Sequence, residues 1–223
     1  MFASGNLQKR GRAIFTILTA AALVTTPPTA QPSAADLYHQ VAGCMVDLKS
    51  MLELSPYDFD QTEKGWRSLD AKPGCHVAAA DLIATYRRAN WGKIDANGVA
   101  ISYWHEGQAR AIGGETKLAI PLLLAGVNPG FTGAGPEVDR QSSPLGMANA
   151  QYALATVAFL QADLATLKLA RARLAELPAP ESYKGIRPEP VGAAKWPPNL
   201  NVVDGLIACF GKPYAVAYGC RPR

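Results

Sequence analysis

The stretch LATLKLARARLAEL, residues 164–177, decides the fold class of this chain. Four of its leucines, Leu164, Leu167, Leu174 and Leu177, recur at intervals of three, seven and three. The charged residues fall mostly off this stripe, so one face of an α-helix is apolar and the other is polar. Asp163 is placed to cap the start of the helix and Pro178 to stop it. The pattern predicts an amphipathic helix.

Similar patterns predict three helix pairs. Each pair is expected to be antiparallel, because only a few turn residues separate its two helices. The pairs occupy residues 101–125, 148–177 and 201–218. Pro121, inside the first pair, predicts a kink or a start delayed by one turn. Strand signals are sparse, and the sequence therefore predicts an all-α fold.

Three further helices are predicted before these pairs, over 35–54, 61–71 and 75–90. Two long stretches dense in Gly and Pro, 126–146 and 179–200, interrupt the helical pattern. Loops of this length are uncommon in a compact domain and are either functional or mobile. The expected architecture is a short stack of helix pairs with two long loops.

The N-terminus has the pattern of an export signal. Its charged region consists of Lys9, Arg10 and Arg12. An apolar core follows over residues 13–24, which is too short to anchor the chain across a bilayer. Small and Pro-rich residues then continue to Ala35.

We expect residues 1–35 to be a signal peptide that is cleaved after Ala35, with cleavage after Ala30 as the alternative. The mature chain, residues 36–223, is then long enough for a single helical domain. We expect it to be periplasmic or secreted in a bacterial type of envelope.

All four cysteines lie beyond the signal, at Cys44, Cys75, Cys209 and Cys220. An even number of cysteines in an oxidising compartment favours two disulfides, for which three pairings are possible. The two local loops favour the pairs Cys44–Cys75 and Cys209–Cys220. Since the chain has no C-x-x-C motif, the sequence predicts no metal site.

The charge of the mature chain argues against nucleic acid as a partner. The sequence has 22 basic and 18 acidic residues, and the signal contains three basic and no acidic ones, which leaves 19 against 18. Nucleic-acid binding needs a concentrated basic surface. Because no later apolar run approaches 18 residues, we also expect no membrane insertion of the mature chain.

The first helix pair resembles the tetratricopeptide-repeat family, whose units are helix pairs with small residues where the helices touch. The matching residues are Tyr103, Gly107, Gly114, Ala119, Leu123 and Gly126. Glu106 and Arg110 depart from the pattern, since these positions usually carry Leu and an aromatic residue. The second pair matches less well, with Ala155, Ala162 and Leu174 at equivalent positions. The turns lie 48 residues apart, against a family period of 34, and the excess coincides with the 126–146 loop.

The resemblance implies a concave groove that holds a peptide or a protein partner. The matching groove positions are Trp104, Gln108, Asn149, Tyr152 and Thr156. An aromatic residue beside an amide suits recognition of a peptide backbone. The alternative is that these side chains pack between helices, as we expect for Trp66 and Trp91. The sequence thus predicts a protein- or peptide-binding or scaffold module of the bacterial envelope.

The alternative function is a periplasmic hydrolase with an unrecognised active site. His105-Glu106 is not the H-E-x-x-H motif of a zinc protease, because Ala109 stands where the second His belongs. The chain has neither a G-x-S-x-G elbow nor a P-loop. A site built from His76, His105, Glu106 and Arg110 is conceivable, but these residues and Arg87 are interpreted as an exposed charged surface. We predict no catalytic residue and no cofactor.

Overall fold

A computed structural model describes residues 43–127, 144–181 and 196–221 of the chain. These residues form ten α-helices and no strand, so the predicted all-α fold is confirmed. The helices are α1 Leu48–Glu53, α2 Pro56–Gln61, α3 Arg67–Asp70, α4 His76–Ala89, α5 Ala96–Ile112, α6 Thr116–Val127, α7 Pro144–Leu160, α8 Leu164–Ala175, α9 Leu200–Ala208 and α10 Tyr214–Gly219.

Helix α8 contains the stretch that predicts the fold class. Leu167 and Leu174 are fully buried, as the amphipathic pattern requires. The predicted cap is also present, because Asp163 Oδ1 accepts a hydrogen bond from the backbone N–H of Thr166 at 2.9 Å. The helix ends at Ala175, slightly before the end that the leucine pattern predicts.

Two helices begin earlier than the sequence pattern predicts. Helix α5 begins at Ala96 because Asp95 caps it, accepting a hydrogen bond from the N–H of Gly98 at 2.6 Å. Helix α7 begins at Pro144, a residue whose fixed φ suits the first helical position. Helix α6 begins at Thr116 and keeps Pro121 inside it, so its start is not delayed.

The N-terminal helices differ most from the prediction. Within the described part of the predicted helix 35–54, only Leu48–Glu53 is helical, because Asp47 caps a new start and accepts from the N–H of Lys49 at 3.1 Å. The predicted helix 61–71 is replaced by the two short helices α2 and α3. Helix α4 matches the predicted 75–90 closely.

Within the described ranges, the buried apolar residues form two clusters. The first cluster lies among α1 to α4 and includes Phe59 and Tyr86, whose rings stack with centroids 3.7 Å apart. The second cluster lies among α5 to α10 and includes the fully buried Leu123, Leu167 and Leu206. Complete burial of a leucine side chain contributes about 1.5–3 kcal/mol. Each set of helices therefore has a core of its own.

Helices α5 and α6 approach each other closely at two glycines. A Cβ on Gly107 would lie 2.8 Å from Leu123 Cγ, and a Cβ on Gly126 would lie 2.8 Å from Trp104 Cβ. Real Cβ atoms do not come this close, so only glycine fits at either position. The contact at Gly126 fixes the backbone of α5 at Trp104.

Both disulfides are present and have the pairing that the local-loop argument favours. Cys44–Cys75 links the segment before α1 to the start of α4, and Cys209–Cys220 links the end of α9 to the end of α10. The first disulfide belongs to the first apolar cluster, and Cys209 packs against the second. No cysteine is free.

The predicted signal peptide, residues 1–35, lies outside the described residues, as do 128–143 and 182–195 within the two predicted loops. The neighbouring helices extend into both predicted loops, since residues 126–127, 144–146 and 200 are helical. Among the helices described, none combines the length and apolar character needed to cross a membrane.

Candidate functional site

One face of α5 opens into a cavity of about 350 Å³, which we call the Trp104 pocket. Its other walls are the end of α6, the start of α7 and the residue before α9. The pocket is lined by Asn97, Ile101 and Trp104 of α5, Gly126 and Val127 of α6, Leu145, Gly146, Asn149 and Tyr152 of α7, and Asn199.

Two aromatic rings form the inner wall of the Trp104 pocket. The rings of Trp104 and Tyr152 are tilted by 55° with centroids 5.1 Å apart. Trp104 is half-buried, whereas only 4% of Tyr152 is exposed. Tilted aromatic pairs of this spacing are mutually attractive. The wall is therefore a fixed surface with one partly accessible ring.

The hydroxyl of Tyr152 is held from inside the molecule. Gln108 Nε2 donates a hydrogen bond to Tyr152 Oη at 3.2 Å. Burial raises the pKa of Tyr152 well above its ordinary value, and the neighbouring Tyr214 and Tyr218 raise it further. Tyr152 is therefore uncharged at neutral pH, and Gln108 positions it.

The polar groups that line the Trp104 pocket are neutral. Asn97 and Asn149 are exposed and Asn199 is half-buried. An amide side chain both donates and accepts hydrogen bonds, so it can pair with the N–H or the C=O of a peptide. None of the lining residues that the structure describes is charged, so these residues offer no salt-bridge partner to a ligand. Its chemistry suits a ligand with an apolar group and amide-type polar atoms.

The structure separates the predicted groove residues into two groups. Trp104, Asn149 and Tyr152 lie together in the Trp104 pocket, but Tyr152 presents only its ring. Gln108 acts through Tyr152 and is not a lining residue. Thr156 is fully buried, and its Oγ1 donates to the carbonyl of Tyr152 at 3.0 Å. It is therefore a core residue, and its predicted position in the groove is wrong.

Several pocket residues are absent from the sequence prediction. Asn97, Ile101, Trp104 and Gln108 follow one another at intervals of four, three and four. This spacing places all four on one helical face and can be read from the sequence. Leu145 and Asn199 fall inside the segments predicted to be loops. Only the folded chain shows that these two residues reach the pocket.

The charged residues considered for the hydrolase alternative form a buried network between α4 and α5. Glu106 accepts from Arg87 Nη2 at 2.6 Å and from Arg110 Nε at 3.1 Å. Arg110 also donates to Asp81 at 2.8 Å and to Glu115 at 2.6 Å. Only 6% of Arg87 and 4% of Glu106 are exposed, so the interpretation of these residues as an exposed surface is wrong.

Arg110 is the cation that pairs with all three carboxylates of this network. Burial lowers the pKa of Arg110, but the carboxylates of Glu115, Asp81 and Glu106 outweigh burial and raise it above its ordinary value. The guanidinium of Arg87 also lies 3.7 Å from the centroid of the Tyr103 ring. The network thus joins α4 to α5 through buried and partly buried hydrogen bonds.

The two histidines of the hydrolase alternative have separate partners. His105 Nδ1 lies 2.7 Å from Asp60 Oδ1, and His76 Nδ1 lies 2.8 Å from Asp70 Oδ1. Among the described residues, no serine, threonine or cysteine side chain hydrogen-bonds to His105. Asp60 Oδ1 also accepts from Trp66 Nε1 at 3.1 Å. Asp60 and His105 thus connect α2 to α5, and neither lines the Trp104 pocket.

The other tryptophans are divided between core and surface. Trp66 is buried as expected, whereas 46% of Trp91 is exposed and its predicted core position is wrong. Within the ranges that the structure describes, no cluster of three or more His, Cys, Asp or Glu side chains is arranged to hold a metal ion.

Comparison with known proteins gives no match: no family model, no curated protein and no solved structure matches this chain. The class that its own geometry defines is a disulfide-linked helical protein with a neutral pocket of aromatic and amide side chains.

Proposed function

We propose that this chain is an exported helical module that binds a peptide segment of a protein partner in the Trp104 pocket. One observation carries the proposal. Trp104 and Tyr152, 48 positions apart in the sequence, lie side by side in an open cavity, and Asn149 is on its rim. We place the protein in the bacterial envelope, in the periplasm or outside the cell.

A peptide segment suits the chemistry of the pocket. An apolar side chain of the peptide would enter between Trp104, Ile101 and Val127, where aromatic and aliphatic walls meet. The amides of Asn97 and Asn149 would pair with the peptide backbone near the rim. The absence of charge among the lining residues disfavours a charged side chain at that position, because desolvating it would have no compensation.

Two observations support export. The N-terminal sequence has the charged region, the short apolar core and the small residues of a signal peptide. Both disulfides of the structure are compatible with an oxidising compartment.

The repeat-like arrangement is part of the same proposal. We infer antiparallel pairs of tetratricopeptide-repeat type, with an insertion between the first two pairs. The support is that Gly107 and Gly126 lie where α5 and α6 touch, as small residues do in that family. Turns of only three residues, 113–115 and 161–163, join the helices of the first two pairs.

The proposal is tested by blocking the pocket. Leu145 lines the Trp104 pocket with 46% of its surface exposed, so Leu145→Arg should place a charge at the pocket without disturbing the core. Leu169→Arg on α8 is the matched control, since Leu169 is 50% exposed and does not line the pocket. Peptides selected from a displayed random library on the unaltered protein provide the ligands.

We expect the selected peptides to contain an aromatic or large aliphatic residue in an uncharged segment. Leu145→Arg should weaken their binding at least about tenfold, which corresponds to about 1.4 kcal/mol, and Leu169→Arg should leave it unchanged. Selection of no peptide, or equal effects of the two arginine variants, would contradict the proposal.

A further inference from the structure

A second cavity, of about 390 Å³, lies where three interhelical turns meet. The turns are those that join α5 to α6, α7 to α8 and α9 to α10, and we call the space the turn-end cavity. It shares no lining residue with the Trp104 pocket. Whatever binds in this cavity therefore makes its contacts with a different part of the molecule.

The walls of the turn-end cavity are aromatic. Phe159 and Phe210 meet edge to face with centroids 5.9 Å apart, and Tyr214 lies 5.9 Å from Phe159. Phe159 and Tyr214 belong to the second apolar cluster and are almost fully buried. Their rings are thus fixed by the core and present a rigid apolar surface, which suits an aromatic or aliphatic group.

Lys212 is the single charged residue among those that line this cavity. Its side chain is exposed and forms no ion pair with any residue that the structure describes. The backbone at Lys212 is nevertheless held, because its N–H donates to the carbonyl of Cys209 at 3.0 Å and the Cys209–Cys220 disulfide closes the loop. An unpaired cation on a fixed loop favours a ligand that ends in an anion.

Each of the three turns enters the left-handed backbone region at this cavity. The φ angles are 87° at Gly114, 58° at Ala162 and 85° at Gly211, and all three residues line the cavity. A left-handed alanine is uncommon and is kept only where the surrounding structure imposes it. The rim is therefore set by the fold and needs little ordering when a ligand enters.

We propose that the turn-end cavity binds a small monocarboxylate whose aromatic or aliphatic body packs on Phe159, Phe210 and Tyr214. The carboxylate pairs with the ammonium of Lys212 at the mouth. The proposal does not rest on peptide binding in the Trp104 pocket, and the two proposals can fail separately.

The test uses 3-phenylpropanoate and its cationic analogue 3-phenylpropylamine, titrated into the purified protein by calorimetry and by NMR. The carboxylate should bind saturably and the amine at least about tenfold more weakly. Lys212→Gln should weaken binding of the carboxylate by about two- to fivefold, which is the usual effect of removing one exposed ion-pair partner. Lys168→Gln, an exposed lysine of α8, is the matched control and should have no effect.

A blocking variant tests the location. Ala215 is exposed and lines the cavity, so Ala215→Trp should fill it and abolish binding while the melting temperature stays normal. Leu145→Arg, in the Trp104 pocket, should leave carboxylate binding intact. Failure of the carboxylate to saturate, equal affinity for the amine, or equal effects of the two lysine variants would overturn the proposal.

Discussion

Tyr152 connects the Trp104 pocket to the interior of the protein. Its ring lines the pocket, while its hydroxyl lies in the core with Gln108. The backbone carbonyl of Tyr152 also accepts from the buried Thr156 hydroxyl one turn later. Because these two hydrogen bonds and the contact with the Trp104 ring hold this residue, the ring is ordered before any ligand enters, and binding costs little side-chain entropy there.

Ala162 is one of two non-glycine residues with a positive φ in the part of the chain that the structure describes. Its φ of 58° lies in the left-handed region, which glycine occupies without steric cost. We expect Ala162→Gly to stabilise the protein by about 0.5–1 kcal/mol, because the relief of strain exceeds the extra entropy of the unfolded chain. Ala162 is exposed, so no buried contact is lost.

Denaturant unfolding at neutral pH measures this effect, with Ala165→Gly as the control. Ala165 is exposed in the first turn of α8, where glycine costs up to about 1 kcal/mol relative to alanine. Destabilisation by both substitutions would mean that the turn at Ala162 is not strained.

The packing of α4 on α5 depends on a buried pair of opposite charges. Arg87 and Glu106 link α4, which belongs to the first apolar cluster, to α5, which contributes Ala111 to the second. Burying such a pair costs desolvation energy that is recovered only while both partners are present. The pair therefore favours one particular arrangement of the two helices.

Removing one partner should be much more costly than breaking a surface pair. Glu106→Ala leaves Arg87 buried without its carboxylate and is expected to cost about 3–5 kcal/mol of unfolding free energy. Asp204→Ala is the control, because its pair with Arg171 is partly exposed and should cost less than about 1 kcal/mol. Chemical denaturation of both variants measures the difference, and similar losses would show that the Arg87–Glu106 pair contributes no more than a surface pair.

The contact between Asp60 of α2 and His105 of α5 should make the free energy of unfolding depend on pH in the acidic range. Burial raises the pKa of Asp60, but the hydrogen bond and charge of His105, together with Trp66 and Arg67, outweigh burial and lower it below its ordinary 3.8. A lowered pKa in the folded state contributes stability above the unfolded pKa, and this stability is lost as the pH falls through the folded value.

Asp60→Asn should therefore be less stable than the unaltered protein at pH 6, with a smaller difference below about pH 4. Unfolding free energies measured between pH 2 and pH 6 test this expectation. Asp95→Asn, which keeps an N-cap residue at an exposed position, controls for general charge effects. A constant difference between Asp60→Asn and the unaltered protein at every pH would contradict the assignment.

The fold was more predictable than the site, for a physical reason. The leucine stripe of α8 and its cap at Asp163 involve residues that are close together in the sequence. Both can therefore be predicted from local spacing. Arg87 and Glu106 are charged, so their spacing alone predicts an exposed position. Each is buried because it pairs with the other, 19 positions away in the sequence. The Trp104 pocket combines readable spacing along α5 with residues such as Asn199, which only tertiary packing brings there.

The described residues form two apolar clusters, and each cluster is associated with one disulfide. Cys44–Cys75 closes a loop of 31 residues around the first cluster, and Cys209–Cys220 closes a loop of 11 residues beside the second. On the chain-entropy estimate these links contribute about 4 and about 3 kcal/mol. Both sulfurs of the first link belong to residues that are 2% exposed, so its loss also affects packing.

Replacing both Cys44 and Cys75 by alanine should therefore loosen the first cluster more than the second. We expect the unfolding free energy to fall by about 4 kcal/mol. Amide hydrogen exchange should speed up in α4 more than in α7 and α8, because the latter helices have their own core around Leu167. Replacing Cys209 and Cys220 is the matched control and should affect α9 and α10 first. Equal acceleration of exchange in all helices by both double variants would show that the two clusters unfold as one cooperative unit. That result would contradict the division of the core into two parts.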